Sequence, residues 1–244
     1  MSRFLGLVAS VLVLVVTCGR IHAQSLQAYQ QAMVTYRQYQ AQFERDRLLY
    51  QNNDGITFET VMDSASHAFA TRREAVLSYS RYLRTLVKTY ITNTATLESL
   101  ISRLDAHEEE INHLSVTFDS LGSWQAAEST SNVVYGRFSE TVYQCFTQIY
   151  LNELDAIIQG YQTLADTQPE RILDEATSNV ERESKSRIIQ NATRTLISLQ
   201  RQLTTLKRDA TYVNSASSYT LWRENADQLL ASTQKSLKEY ASLE

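Results

Sequence analysis

The sequence predicts an all-α protein, an elongated bundle of four or five long antiparallel helices that pack along coiled-coil-like heptad seams. Glycine and proline, which punctuate turns and sheets, are scarce: 244 residues hold six glycines and one proline. No run of residues alternates strictly between polar and apolar, so we expect no sheet. Apolar residues instead recur at steps of three and four, which is the spacing of a helix seam.

Residues 1–23 predict a signal peptide. Arg3 precedes the apolar run Phe4–Val16, and Ala23 supplies a small residue at a cleavage site. The run holds 13 residues. Because a membrane span needs about 20 residues, cleavage is favoured over a retained anchor. The remaining residues 24–244 are predicted to form a single elongated helical-bundle domain that is exported, either to the periplasm or to the extracellular space.

Four aromatic rings stand at steps of seven in the first part of this domain. A row of this kind forms either an open stacking platform or the seam of a helix. Residues 25–51 contain no glycine or proline, and long apolar faces elsewhere in the chain need a partner, so we expect a seam. The ring positions are Tyr29, Tyr36, Phe43 and Tyr50.

A seam of 17 positions at alternating steps of three and four follows, and 14 of them are apolar. It predicts one coiled-coil-like helix from residue 62 to residue 118, roughly 85 Å long. Arg72, Asn93 and His107 are its polar exceptions, and the Thr- and Asn-rich sequence around Asn93 leaves a helix break open there. The seam is Met62, Ala65, Phe69, Arg72, Val76, Tyr79, Leu83, Leu86, Tyr90, Asn93, Leu97, Leu100, Leu104, His107, Ile111, Leu114 and Phe118.

Two further helical segments come after this seam. Residues 134–164 carry a broad apolar face, which is typical of a helix that contacts two neighbours. Residues 189–213 return to the strict three-four spacing, with Ile189, Ala192, Leu196, Leu199, Leu203, Leu206, Ala210 and Val213 in line.

Turn residues predict where the first helices end and begin. Thr57, after the turn at residues 52–57, is expected to cap the second helix. Gly122 is expected to end a helix in the left-handed conformation, and Ser123 to cap the next one.

The second half of the chain shows one clear break and one weak break. Thr167 and Glu170 have the spacing of a capping box, with Pro169 in the first turn of the helix that follows. Residues 213–219, around Ser215, are rich in serine and predict either a break or a polar patch on a continuous helix.

The heptapeptide HEEEINH, residues 107–113, resembles metal-binding patterns without completing one. Its two histidines are six residues apart, about 240° around a helix, whereas zinc proteases place theirs four apart. Glu110 and His113 match one Glu-x-x-His element of a di-iron bundle, which requires that element twice. We therefore expect a solvated acidic stripe, and no catalytic, cofactor-binding or metal site.

The two cysteines do not form a disulfide scaffold. Cys18 is expected to leave with the signal peptide, since Thr17 before it does not suit a lipidated cysteine. Cys145 lies in an apolar helical stretch and is expected to be a small buried side chain. A disulfide-linked dimer through Cys145 is the alternative.

The charge and the seams together indicate a class of function. Without residues 1–23 the chain has 21 basic and 27 acidic residues, a charge of about −6. This charge argues against a nucleic-acid partner and gives no support to membrane contact. We expect a non-enzymatic scaffold or interaction protein that binds a protein partner, or itself, through helix faces. The alternative is a helical binding module that is chaperone-like or membrane-active.

Mass spectrometry of the mature N-terminus tests the export prediction. Cleavage after Ala23 should leave Gln24 as the first residue of the protein recovered outside the cytoplasm. A product that begins at Met1, or one that carries lipid on Cys18, would contradict the signal-peptide interpretation.

Overall fold

The computed structural model describes the backbone of residues 2–243 and the side chains of residues 24–243. The chain is helical almost throughout, and no strand occurs in the described part, so the predicted all-α bundle is confirmed. The helices are α1 (Ser2–Gln51), α2 (Phe58–Tyr90), α3 (Thr94–Asn112), α4 (Leu121–Thr167), α5 (Pro169–Asp174), α6 (Asn179–Asp209) and α7 (Ala216–Ala241), with a 3₁₀ turn at Ala210–Tyr212.

The chain divides into two compact units, residues 1–142 and residues 143–244, with the boundary inside α4. The predicted signal peptide and Cys18 lie outside the residues whose side chains are described, so cleavage stays a prediction. No helix in the described part of the chain is both long enough and apolar enough to cross a membrane.

In the first unit, successive helices run antiparallel. α1 and α2 form a hairpin whose ring contacts join Tyr50 to Phe58 beside the turn and Tyr29 to Tyr79 farther away. The turn contains Gly55 at φ 78°, a backbone conformation that glycine adopts without strain. As predicted, Thr57 caps α2, and its side chain accepts a hydrogen bond from the backbone of Thr60.

The seven-step aromatic residues of α1 face other helices. Phe43 is buried, with its ring 5.6 Å from that of Trp124 in α4. Tyr29 and Tyr36 are half-buried, whereas Tyr50 at the end of the helix is exposed. The seam prediction is therefore confirmed for the centre of the row, and the interpretation as an open platform is wrong.

The prediction of one helix from residue 62 to residue 118 is wrong, although its seam is right. α2 ends at Tyr90, and α3 begins after Asn93, whose side chain accepts a hydrogen bond from the backbone of Thr96. Asparagine competes in this way for backbone donors, and so it starts a new helix rather than continuing an old one. Apart from Leu97, which is half-buried, the aliphatic and aromatic seam residues of α3 and of the loop after it stay buried: Leu100, Leu104, Ile111, Leu114 and Phe118.

Two predicted caps are also wrong. Gly122 lies in the first turn of α4, which Ser120 caps by accepting a bond from the backbone of Ser123. Thr167 ends α4, and its hydroxyl donates to the carbonyl of Thr163 instead of capping α5. At the start of α4 the hydroxyl of Ser120 satisfies a free backbone N–H, whereas α5 begins after Gln168 without a side-chain cap.

Two other features at helix starts agree with the sequence. Pro169 occupies the first turn of α5, where its missing N–H costs nothing. The weak break around Ser215 is real, since Ser215 and Ser218 form a reciprocal cap at the start of α7.

The second unit packs α6 and α7 against the C-terminal half of α4. The predicted seam of α6 is confirmed from Ala192 to Leu206, because each of its residues in this range is buried in one core. Trp222 of α7 is buried there too, and its indole N–H donates to the backbone carbonyl of Leu206 at 3.1 Å.

Removal of the Phe43 ring should destabilise the protein. We expect Phe43→Ala to cost about 3 kcal/mol, since Phe43 is only 5% exposed and its loss leaves a cavity. For a domain of this size each kcal/mol lowers the melting midpoint by about 2–4 °C. Leu48→Ala on the same helix is the control, because Leu48 is 54% exposed and its truncation should change the midpoint little. Equal midpoints for the two variants, measured by circular dichroism, would contradict this account.

Candidate functional site

Four arginines form a straight row on the outward face of α6. Arg187, Arg194, Arg201 and Arg208 are seven residues apart, and all four are exposed. Arg194 lies midway between the buried seam residues Ala192 and Leu196, about 180° around the helix from their mean direction. At 1.5 Å per residue, neighbouring arginines are about 10.5 Å apart and the row is about 31 Å long. We call this row the arginine stripe.

The stripe lies in a stretch of α6 without carboxylates. Residues 184–208 hold six basic residues and no acidic one, in a chain whose net charge is −4. The acidic residues of α6 stand only at its ends: Glu181, Glu183 and Asp209. A positive face of this kind attracts anions more strongly than the net charge of the chain suggests.

The two ends of the stripe are neutralised, and its middle is not. Arg187 pairs with Glu183 at 2.6 Å, and Arg208 pairs with Asp209 at 3.2 Å. No carboxylate within the described residues forms an ion pair with Arg194 or Arg201. These two guanidinium groups are therefore open to a carboxylate, phosphate or sulfate, which arginine binds through two parallel N–H donors.

The other side chains on this face are almost all neutral and polar. Ile197, 46% exposed, is a large apolar side chain beside the stripe, and Val180, 80% exposed, lies seven residues before Arg187 in line with it. The remaining neighbours between the arginines are Gln190, Asn191, Ser198, Thr204 and Thr205. Such a face can accept an anionic surface by polar contacts, but it offers little apolar area for burial.

The histidines of residues 107–113 do not meet. His107 is half-buried, with Nε2 2.9 Å from Oγ1 of Thr141 in α4 and Nδ1 3.5 Å from the Glu110 carboxylate. His113 is exposed at the C-terminal end of α3. Among the described residues, no group of three or more potential ligands is placed to hold a metal ion.

One glutamate of the same motif connects two helices. Glu108 accepts hydrogen bonds from Ser80 and Arg84 of α2, each at 2.8 Å. Arg84 also pairs with Asp105. The expected solvated stripe is therefore solvated only in part, because Glu108 fastens α3 to α2.

Cys145 has 0% exposure in α4. The expected small buried side chain is confirmed. A disulfide between two copies through this thiol would require α4 to open, so the folded chain does not support the alternative.

The second unit contains a shallow cleft between α4, α6 and α7. Tyr161, Asn191, Ser236 and Glu239 contribute to its lining. Its volume of about 210 Å³ is below the roughly 300 Å³ at which ligand pockets usually begin, so the arginine stripe remains the stronger candidate site.

Comparisons with protein-family models, with curated proteins and with solved structures found no match for this chain. The stripe therefore rests on the chain's own residues. Total charge misses it, because acidic residues elsewhere conceal the local excess of basic ones. The signal in the sequence is the seven-residue step of the arginines inside an acid-free stretch, with Arg194 and Arg201 each two positions from a seam residue on both sides.

A tyrosine beside α7 gives the second unit a pH dependence. The hydroxyl of Tyr150 donates to Asp227, and the guanidinium of Arg223 lies 3.7 Å from the centre of the Tyr150 ring. Burial, with the hydrogen bond to Asp227, raises the pKa of Tyr150 to about 12. The neutral phenol is thus the form that the fold stabilises.

The stability contribution of Tyr150 should be complete below its unfolded-state pKa of about 10 and should fall as the pH rises toward 12. Denaturation curves at a series of alkaline pH values test this expectation. The phenylalanine of the Tyr150→Phe variant cannot ionise, so the stability of this variant should decline less steeply over that range than the stability of the native protein. Parallel declines in the two proteins would refute the expectation. Tyr212→Phe is the control, because Tyr212 is 73% exposed.

Proposed function

We propose that this chain is an exported, non-enzymatic helical interaction protein that binds an acidic protein surface through the arginine stripe of α6. The unneutralised middle of the stripe, Arg194 and Arg201, is the observation that carries the proposal. Export rests on the targeting pattern of residues 1–23 and places the interaction in the periplasm or outside the cell.

The spacing of the stripe favours a helical partner. Every α-helix rises about 10.5 Å over seven residues, so carboxylates at seven-residue steps on a second helix would match the arginines one for one. A flexible or irregular polyanion could meet the same arginines, but it would gain nothing from their regular spacing.

Lipid is the alternative partner, and the composition of the face supports it less. A helix that lies in a membrane surface combines basic residues with several large apolar ones such as Trp, Phe and Leu. Beside the stripe the large exposed apolar side chains described are Ile197 and, one seven-residue step before Arg187, Val180. Neither is aromatic, and Gln190, Asn191 and the threonines keep the face between the arginines polar.

The stripe alone should bind weakly and reversibly. Exposed ion pairs contribute about 0.2–1 kcal/mol each, so the two open arginines, Arg194 and Arg201, give on the order of 0.4–2 kcal/mol. About 4 kcal/mol corresponds to a dissociation constant near 1 mM. Binding this tight therefore requires contacts beyond the arginines, and the complex should dissociate as salt screens the charges.

Fluorescence anisotropy with labelled poly-L-glutamate as the acidic probe tests the proposal. The native chain should bind at low ionic strength and release the probe as salt is added. The double variant Arg194→Glu/Arg201→Glu should bind at least about tenfold more weakly, because it replaces two attractions by repulsions. Lys235→Glu/Lys238→Glu on α7 has the same charge change at exposed positions and should retain binding.

Equal loss in the two double variants would reduce the effect to net charge and would contradict a specific stripe. Vesicles that contain phosphatidylglycerol form a parallel arm. Binding to vesicles that depends on Arg194 and Arg201, without binding to poly-L-glutamate, would replace the proposed protein partner by lipid.

A further inference from the structure

The acidic counterpart of the stripe is found in the first unit of the same chain. α3 carries five carboxylates and one arginine in 19 residues, whereas α6 carries seven basic and three acidic residues in 31. The two helices have opposite net charges of equal size, −4 and +4. This complementarity makes a second copy of the chain a candidate occupant of the stripe.

Three carboxylates of α3 also form a row. At 100° per residue, Glu98, Asp105 and Glu109 fall within about 40° of one direction around the helix axis. All three are exposed. Arg84 pairs with Asp105, but no basic residue within the described part of the chain forms an ion pair with Glu98 or Glu109.

The two rows have matching lengths. Glu98 and Asp105 are seven residues apart, as are Arg194 and Arg201, so each pair spans about 10.5 Å along its helix. Glu109 lies about 6 Å beyond Asp105, a distance that the long side chains of Glu109 and of the arginine opposite Asp105 can bridge. Two such helices can lie side by side with their charged groups in register.

We propose that α3 of one copy docks on the arginine stripe of a second copy, with Glu98 opposite Arg194 and with Arg201 shared between Asp105 and Glu109. The inference rests on the proposed function, since it names the acidic surface that the stripe binds. α3 and α6 are different surfaces, so each contact leaves one free α3 and one free stripe in the assembly. Further copies can therefore add head to tail.

Sedimentation of the purified full chain over a range of concentrations tests self-association. The native protein should gain mass with concentration at low ionic strength and lose it in salt. Two double variants should each weaken association by at least about tenfold: Arg194→Glu/Arg201→Glu, which makes the stripe acidic, and Glu98→Lys/Glu109→Lys, which makes α3 basic. Lys235→Glu/Lys238→Glu is the control and should associate like the native chain.

The decisive experiment mixes the two double variants, the one with the acidic stripe and the one with the basic α3, and measures their association. Each variant alone brings like charges together, but in the mixture the acidic stripe meets the basic α3, and the native stripe meets the native α3. Mixing should restore association to within a few-fold of the native level. Damage to folding cannot produce this rescue, and circular dichroism of each variant should match the native spectrum.

Several results would overturn the inference. They are a native chain that stays monomeric at low salt, an association that neither variant weakens, and a mixture that fails to recover. If the mixture fails while poly-L-glutamate still binds through Arg194 and Arg201, the partner is another acidic protein and the proposed function stands. If poly-L-glutamate does not bind and the native chain is monomeric, both proposals fail.

Discussion

On α6, Leu196, Leu199 and Leu203 are buried on the same side of the helix, away from water. This burial fixes the direction of every other side chain on the helix. A residue two or more positions from the seam on both sides must point outward. The seven-residue period of the leucines is therefore also the period of the solvent-facing row, which α6 fills with arginine. The core of the second unit and the charged face above it are two consequences of one spacing.

The period predicts which residues are buried more reliably than where a helix stops. Leu83 and Leu104 belong to one uninterrupted pattern in the sequence, and both are buried, yet they lie on different helices. Burial sums over many side chains, each worth about 1.5–3 kcal/mol, and so the pattern survives local exceptions. A helix end depends on one or two hydrogen bonds worth about 1 kcal/mol each, as at Asn93, and several nearby residues can supply them.

The sequence reveals the candidate site only when the basic and acidic residues are assigned to positions around each helix. The total charge of −4 describes the protein far from its surface, where all charges act together. Contact with a partner is governed by charges within about 8–10 Å, the screening length at physiological salt. Over that distance Arg194 and Arg201 have no acidic neighbour on their own helix, and α3 has one arginine among its acids. Opposite local charges of this kind cancel in the net charge of the chain. They are seen only when the charges on each helix face are counted separately.

The complete burial of Cys145 has a practical consequence for following the motions of the chain. It is the one cysteine in residues 24–244, so a thiol reagent has a single target in that part of the chain. Because the sulfur has no exposed surface, labelling requires α4 and its neighbours to separate, and the labelling rate reports how often that opening occurs. Cys145 is therefore a natural labelling probe for the opening of α4, the longest helix that has all its side chains described, and no engineered cysteine is needed.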